Sequence, residues 1–338
     1  MRVLVTGGGG YIGSILCRTL VEKGYDVTAL DRFFFGVETL SSVKGRIRIV
    51  KDDVRWFDPK LLDGVDAVFD MAALSNDVSG ELDKSKTLEI NHKGRARVAQ
   101  LAKKHNVSRY VLASSCSVYG FQDSIVNEKS GLNPLTTYAK ANALAEQDAF
   151  KLSDDKFTVT ALRQATVYGL SPRMRFDLAV NVMVLSLFRE DKLMITGDGK
   201  QWRPFVHVRD TGNAFIKVLE AEREKVSGET FNVGTNEQNF TIIDLAKLIC
   251  KSIGYEPTFE QFGYPDFRSY HADFTKIKET LNFKAEFTPK DGSVEIFNAL
   301  KEKRLDPSDP RTITVNWYKQ LIKMQEQLKN VELNGVIL

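Results

Sequence analysis

The chain has 338 residues, 43% hydrophobic and 27% charged, which excludes a disordered or low-complexity protein and is enough for two packed lobes. Lys and Arg total 47 against 44 Asp and Glu, a formal charge of +3, so no strong field marks a nucleic-acid binder and any anionic ligand has to be held locally. Three widely spaced cysteines (Cys17, Cys116, Cys250) suit neither a disulfide framework nor a zinc site, no run approaches the roughly 20 apolar residues of a membrane span, and the N-terminus enters a strand at once; a cytoplasmic protein without metal or membrane partner is expected.

Apolar, β-rich runs at Arg2–Thr6, Asp26–Asp31, 46–50, Ala67–Asp70, 109–113 and 157–162 alternate with helical spacing at 11–23, 88–103 and 137–152. That alternation predicts the α/β class: a Rossmann-type doubly wound parallel sheet over residues 1–170. A smaller, mixed α/β substrate-binding lobe is expected over 171–313, with short strands at 204–208 and 230–233 and the option of crossing back to the first domain. The remainder, 314–338, reads as an amphipathic helix and tail, with Trp317, Leu321, Met324 and Leu328 on one side to dock on its own domain or to make a dimer contact.

In "VLVTGGGGYIGS", Gly7, Gly10 and Gly13 follow a strand and open a helix, where free N–H groups and close backbone approach suit a pyrophosphate. Tyr11 and Ile12 belong to the same turn. The next strand ends in Asp31, about 20 residues on, where a carboxylate accepts ribose hydroxyls and repels a 2′-phosphate, so the expected cofactor is NAD. Arg32 beside it is the one feature pulling toward NADP.

The glycine spacing, together with "SSCSVYG", "TTYAK", "LRQATVYG", "GDGKQWRPFVHVRD" and "FNVG" in order, resembles the extended short-chain dehydrogenase/reductases, the NAD-dependent nucleotide-sugar epimerase/dehydratase family of the UDP-glucose 4-epimerase kind. The resemblance implies Asp53 and Val54 by the adenine, Met71, Ala72, Ala73, Leu74 and Ser75 along the diphosphate and nicotinamide ribose, and Asn91 behind them. It implies Arg175, Asn181, Arg203 and Arg268 on a nucleotide-diphosphate sugar, whose phosphates a planar guanidinium bonds bidentately, and Ser115 and Ser117 near the sugar. It also implies a homodimer built on the helices at 88–103 and 137–152.

By the same resemblance Tyr138 is the catalytic base and Ser115 its hydrogen-bonding partner. A free phenol has a pKa near ~10, and the family lowers it with a lysine four residues later that also binds the nicotinamide ribose. This chain has Asn142 there, and Lys140 at i+2 points about 200° away from the tyrosine on the helix. Three readings stay open: a slow enzyme, a substituted variant of an active parent, or a protein that binds NAD and sugar nucleotide without turnover. Restoring the lysine, Asn142→Lys, is expected to raise the rate. Cys116 and Ser117 stand where dehydratases carry acids, so oxidation and reduction at one carbon is favoured: a 4-epimerase first, a 4-dehydrogenase or reductase second.

Overall fold

The computed structural model describes residues 1–262, 269–333 and 335–336. Its strands are β1 (Arg2–Thr6), β2 (Asp26–Asp31), β3 (Arg48–Lys51), β4 (Ala67–Asp70), β5 (Arg109–Ser115), β6 (Thr158–Gln164), β7 (Thr166–Tyr168), β8 (Leu193–Thr196), β9 (Trp202–His207), β10 (Glu229–Val233), β11 (Asn239–Thr241) and β12 (Phe259–Phe262). Seven form one sheet in the order β10-β6-β5-β4-β1-β2-β3, with every pair parallel. The chain thus leaves the sheet after β6 and returns to its edge as β10. A three-stranded sheet (β11-β9-β7) and the β12-β8 pair form the smaller lobe.

The sheet is covered on both faces because its strands are apolar on both. Val3 and Val5 of β1 pack in one cluster with Leu16, Leu20 and Phe215, while Leu4 packs in another with Val98, Ala102 and Phe157. Strand β3 starts two residues later than the spacing suggests, since a 3-10 turn at Val37–Val43 and Gly45 at φ +80° occupy the preceding chain. Strands β5 and β6 both run past their expected ends because Ser115 pairs with Gln164, and Arg163 and Gln164 pair onward to β10. The order reverses at β1, which has β2 on one side and β4 on the other, and a crevice opens at the carboxyl ends of such neighbours.

Two helical features set the site. The single helix expected over 88–103 is instead Lys84–Leu88, a wide π turn at Glu89–Gly94, and Arg95–Lys104. Helix Thr137–Phe150 is N-capped by Thr136, whose side chain accepts from Ala139 N at 3.1 Å, and its buried face is four alanines with Asn142 and Glu146. The C-terminal helix Thr314–Val331 docks only through its first turns: Thr314 is buried, whereas Met324 and Leu328 of the expected stripe are exposed. Among the described residues no helix is long and apolar enough to cross a membrane, and no group of three His, Cys, Asp or Glu is placed to hold a metal ion.

Candidate active site

One cavity of about 490 Å³ runs along the switch point and under the smaller lobe. At its cofactor end the glycines are dictated by space. A Cβ on Gly7 (φ +69°) would lie 2.9 Å from Ala72 N, and one on Gly13 would lie 2.1 Å from Gly7 O. Asp31 closes β2 with its carboxylate accepting from Gly9 N (3.0 Å) and Phe33 N (2.6 Å); burial pushes its pKa up and these donors oppose the rise. Arg32 and Arg55 both pair with Asp53 at 2.9 Å. Burial would raise Asp53, but the two guanidinium groups outweigh it and hold it down at about 2. The Arg32 guanidinium is therefore paired with an acid on the cavity wall.

Tyr11, Ile12, Val54 and the whole run Met71 to Ser75 line the cavity. The run is held by Thr6, whose Oγ1 accepts from Met71 N (3.0 Å) and Ala72 N (3.1 Å). Asn91 lies behind the run and off the cavity wall: fully buried, it accepts from Leu74 N (2.8 Å) and donates to Leu74 O (3.0 Å). Glycines that a Cβ would block, free N–H groups at the mouth of helix Tyr11–Glu22 and a carboxylate closing β2 fit a dinucleotide.

Ser115 is the last residue of β5, and its Oγ accepts from Ser117 N at 3.1 Å. Tyr138 shares the cavity wall with it, fixed from behind by Gly80, where an added Cβ would meet the Tyr138 Cβ at 2.9 Å. Burial raises the Tyr138 pKa and Asp77 adds to the rise; Arg95, Asn142 and Arg175 oppose it. Lys140 is exposed. Asn142 is buried, donating to Tyr138 O at 3.1 Å and accepting from Arg95 Nη1 at 2.9 Å. Sequence reading missed Arg95, although an arginine in the buried stripe of its helix, in phase with Val98, Ala99 and Ala102, was a legible signal.

Toward the smaller lobe, three buried side-chain atoms on the cavity wall have no hydrogen-bond partner among the described residues: Ser117 Oγ, Gln164 Oε1 and Gln201 Oε1. Buried polar atoms are normally satisfied, so this end is shaped for a polar ligand. Arg203 lines it beside Tyr270, 5.5 Å from the ring centre. Arg175 lines the cavity as well, held by Asp177 (2.9 and 3.0 Å) and by Ser75 Oγ (3.1 Å). Asn181 is not on the wall: its amide accepts from Gly169 N and donates to Tyr11 OH and Arg175 O, so it is a strut, and Leu178 and Ala179 face the cavity in its stead. Arg268 lies outside the described residues.

Four further wall residues escaped the sequence reading because they meet only in three dimensions. Arg173 is buried 3.7 Å over the Phe35 ring, and burial pushes its pKa down to about 9. Phe34 and Phe35 pack on Tyr318 of the C-terminal helix, and all three face the cavity.

A parallel sheet with a glycine turn and a strand-end carboxylate at its switch point, opening onto a tyrosine and serine, defines a dinucleotide-dependent enzyme acting on a polar ligand. Residues 3–234 match the NAD dependent epimerase/dehydratase family, and the chain belongs to that family. It is 30% identical to the "uncharacterized UDP-glucose epimerase YtcB" of Bacillus subtilis (strain 168), covering 86% of this chain and 95% of that one. It is 27% identical to UDP-glucuronic acid decarboxylase 1 of Arabidopsis thaliana, covering 91% and 72%. Among solved structures, MoeE5 in complex with UDP-glucuronic acid and NAD superposes with a TM-score of 0.80 at 27% identity, covering 90% and 100%. The protein is an NAD-dependent enzyme of the nucleotide-sugar epimerase, dehydratase and decarboxylase group.

Proposed function

We propose that the chain interconverts C4 epimers of a nucleotide-diphosphate sugar through a keto-sugar. The carrying observation is a cavity wall that presents Tyr138 and Ser115 without an acid in the two positions after the serine. Cys116 is fully buried and turned away, donating to Arg163 O at 3.3 Å, and Ser117 offers only a hydroxyl. Expelling a hydroxyl from the sugar needs an acid beside it; oxidation and reduction at one carbon does not.

In this reading Gly7, Gly10, Tyr11, Ile12 and Gly13 hold the dinucleotide's pyrophosphate, Asp31 its ribose, Arg32, Asp53 and Val54 its adenine end, and the run from Met71 to Ser75 its remaining length. NAD held there would supply the acceptor and later the donor of the hydride at the sugar carbon. Tyr138 Oη removes the proton of the C4 hydroxyl, Ser115 Oγ hydrogen-bonds that oxygen, and Tyr138 returns the proton once the keto-sugar has turned its other face. Arg175, Arg203 and Ser117 hold the nucleotide diphosphate and sugar. A homodimer belongs to the same reading and is tested by sedimentation.

The test incubates the protein with NAD and UDP-, GDP-, dTDP- and CDP-sugars, following cofactor absorbance and separating products by chromatography. A second epimer without net NADH is expected. Accumulating NADH would make it a 4-dehydrogenase, and a product lighter by water or carbon dioxide would make it a dehydratase or decarboxylase.

A further inference from the structure

The cation missing from position 142 is present elsewhere in the site. Arg95 is 1% exposed, yet it lines the cavity together with Ala113, Tyr138 and Asn142. Its Nη2 donates to Asp70 O (3.0 Å) and Ala113 O (2.5 Å), and its Nη1 donates to Asn142 Oδ1 (2.9 Å). The Asp70 carboxylate stands 3.7 Å from Nε, but its oxygens take hydroxyl donors, Thr6 Oγ1 (2.6 Å) and Tyr110 OH (2.5 Å), and Arg95 Nε itself has no hydrogen-bond partner among the described residues.

A guanidinium only donates, so its bond to Oδ1 fixes which way the Asn142 amide faces. The NH₂ group is turned to Tyr138, whose backbone O takes one of its two hydrogens, and both residues line the cavity. Burying a charge is costly, and an apolar side chain would fill the same space at lower cost. The π turn at Glu89–Gly94 carries both Asn91 and Arg95 onto the face that meets the strand ends, and such turns recur at functional sites.

We infer that Arg95 and Asn142 divide the work of the family's lysine: Arg95 supplies the buried positive charge, and Asn142, locked by it, supplies the hydrogen bond beside Tyr138. Arg95 is a positioning residue, and the inference rests on Tyr138 being the base of the proposed reaction. The groups felt by the phenol are Asp77 from helix Asp77–Gly80, Arg95 from its own helix, Asn142 from the tyrosine's helix and Arg175 from the smaller lobe; Asp77 raises its pKa and the other three lower it.

The experiment titrates Tyr138 itself by NMR of ¹³Cζ-labelled tyrosine, assigned with Tyr138→Phe, so it reads the inference even where no substrate is known. In Arg95→Met the Tyr138 pKa is expected to rise by on the order of one unit, and turnover to fall about tenfold or more. Arg95→Met/Asn142→Lys, which moves the cation to the family position, is expected to return both toward the parent. A folded Arg95→Met with an unchanged Tyr138 titration overturns the inference. If that single variant does not fold, the double variant decides. A folded double with a parent-like titration supports the inference; a double that is unfolded, or titrates well above the parent, makes Arg95 a structural strut and overturns it. A normal Tyr138 shift with no sugar turned over would instead count against the proposed reaction alone.

Discussion

The indole of Trp317 donates to the carbonyl of Phe34 across 2.7 Å, tying the C-terminal helix to the loop that follows Asp31 at the end of β2. Tyr318 packs edge-on against Phe34 at 5.8 Å, so the helix forms part of the wall of the cofactor end. Trp317→Phe removes the donor and keeps an aromatic ring. It is expected to cost about 1 kcal/mol of stability and to weaken NAD several-fold; calorimetric titration checks this, and an unchanged affinity would put the helix outside the cofactor site.

Tyr138→Phe is expected to abolish turnover while leaving NAD and sugar-nucleotide binding intact, as read by ligand-induced thermal shifts. Because burial and Asp77 hold the phenol above its ordinary value in the free protein, its basic form grows as pH rises. Accordingly kcat/KM should climb about tenfold per pH unit from 6 to 9. A profile flat across that range would mean that another group takes the proton.

The sequence points to Asn142→Lys as a gain of function, and the structure reverses that expectation. Asn142 Oδ1 is 2.9 Å from Arg95 Nη1 in a buried site, so a lysine there sets one cation against another. The single variant should lose on the order of 3 kcal/mol of stability, measured by chemical denaturation, and should not turn over faster than the parent.

Asp53 gives the acid limb of stability. Two arginines hold its folded pKa at about 2, below the unfolded value of 3.8, so its stabilisation is complete above the unfolded value and is lost as pH falls toward 2. Asp53→Asn should cost on the order of 1–2 kcal/mol at neutral pH and flatten the fall in stability between pH 4 and 2, which denaturation curves at several pH values would show. Parallel curves for parent and variant would contradict the assignment.

The strands at Arg2–Thr6, Asp26–Asp31 and Ala67–Asp70 were legible residue for residue, because apolar runs bounded by glycine or acid leave little freedom. The same holds for Gly7 and Gly13, where close backbone approach leaves no room for a Cβ, and for Asp31 at the end of β2. Asn181 was expected on the sugar nucleotide and sits behind the cavity wall, since where an amide points depends on which backbone groups surround it. Arg95 meets Asn142 over 47 positions of sequence, and Trp317 meets Phe34 over 283. Local pattern determined the sheet and the cofactor turn. Only the packing of distant segments decided where the buried charge lies, because a charge finds its partners through space and not along the chain.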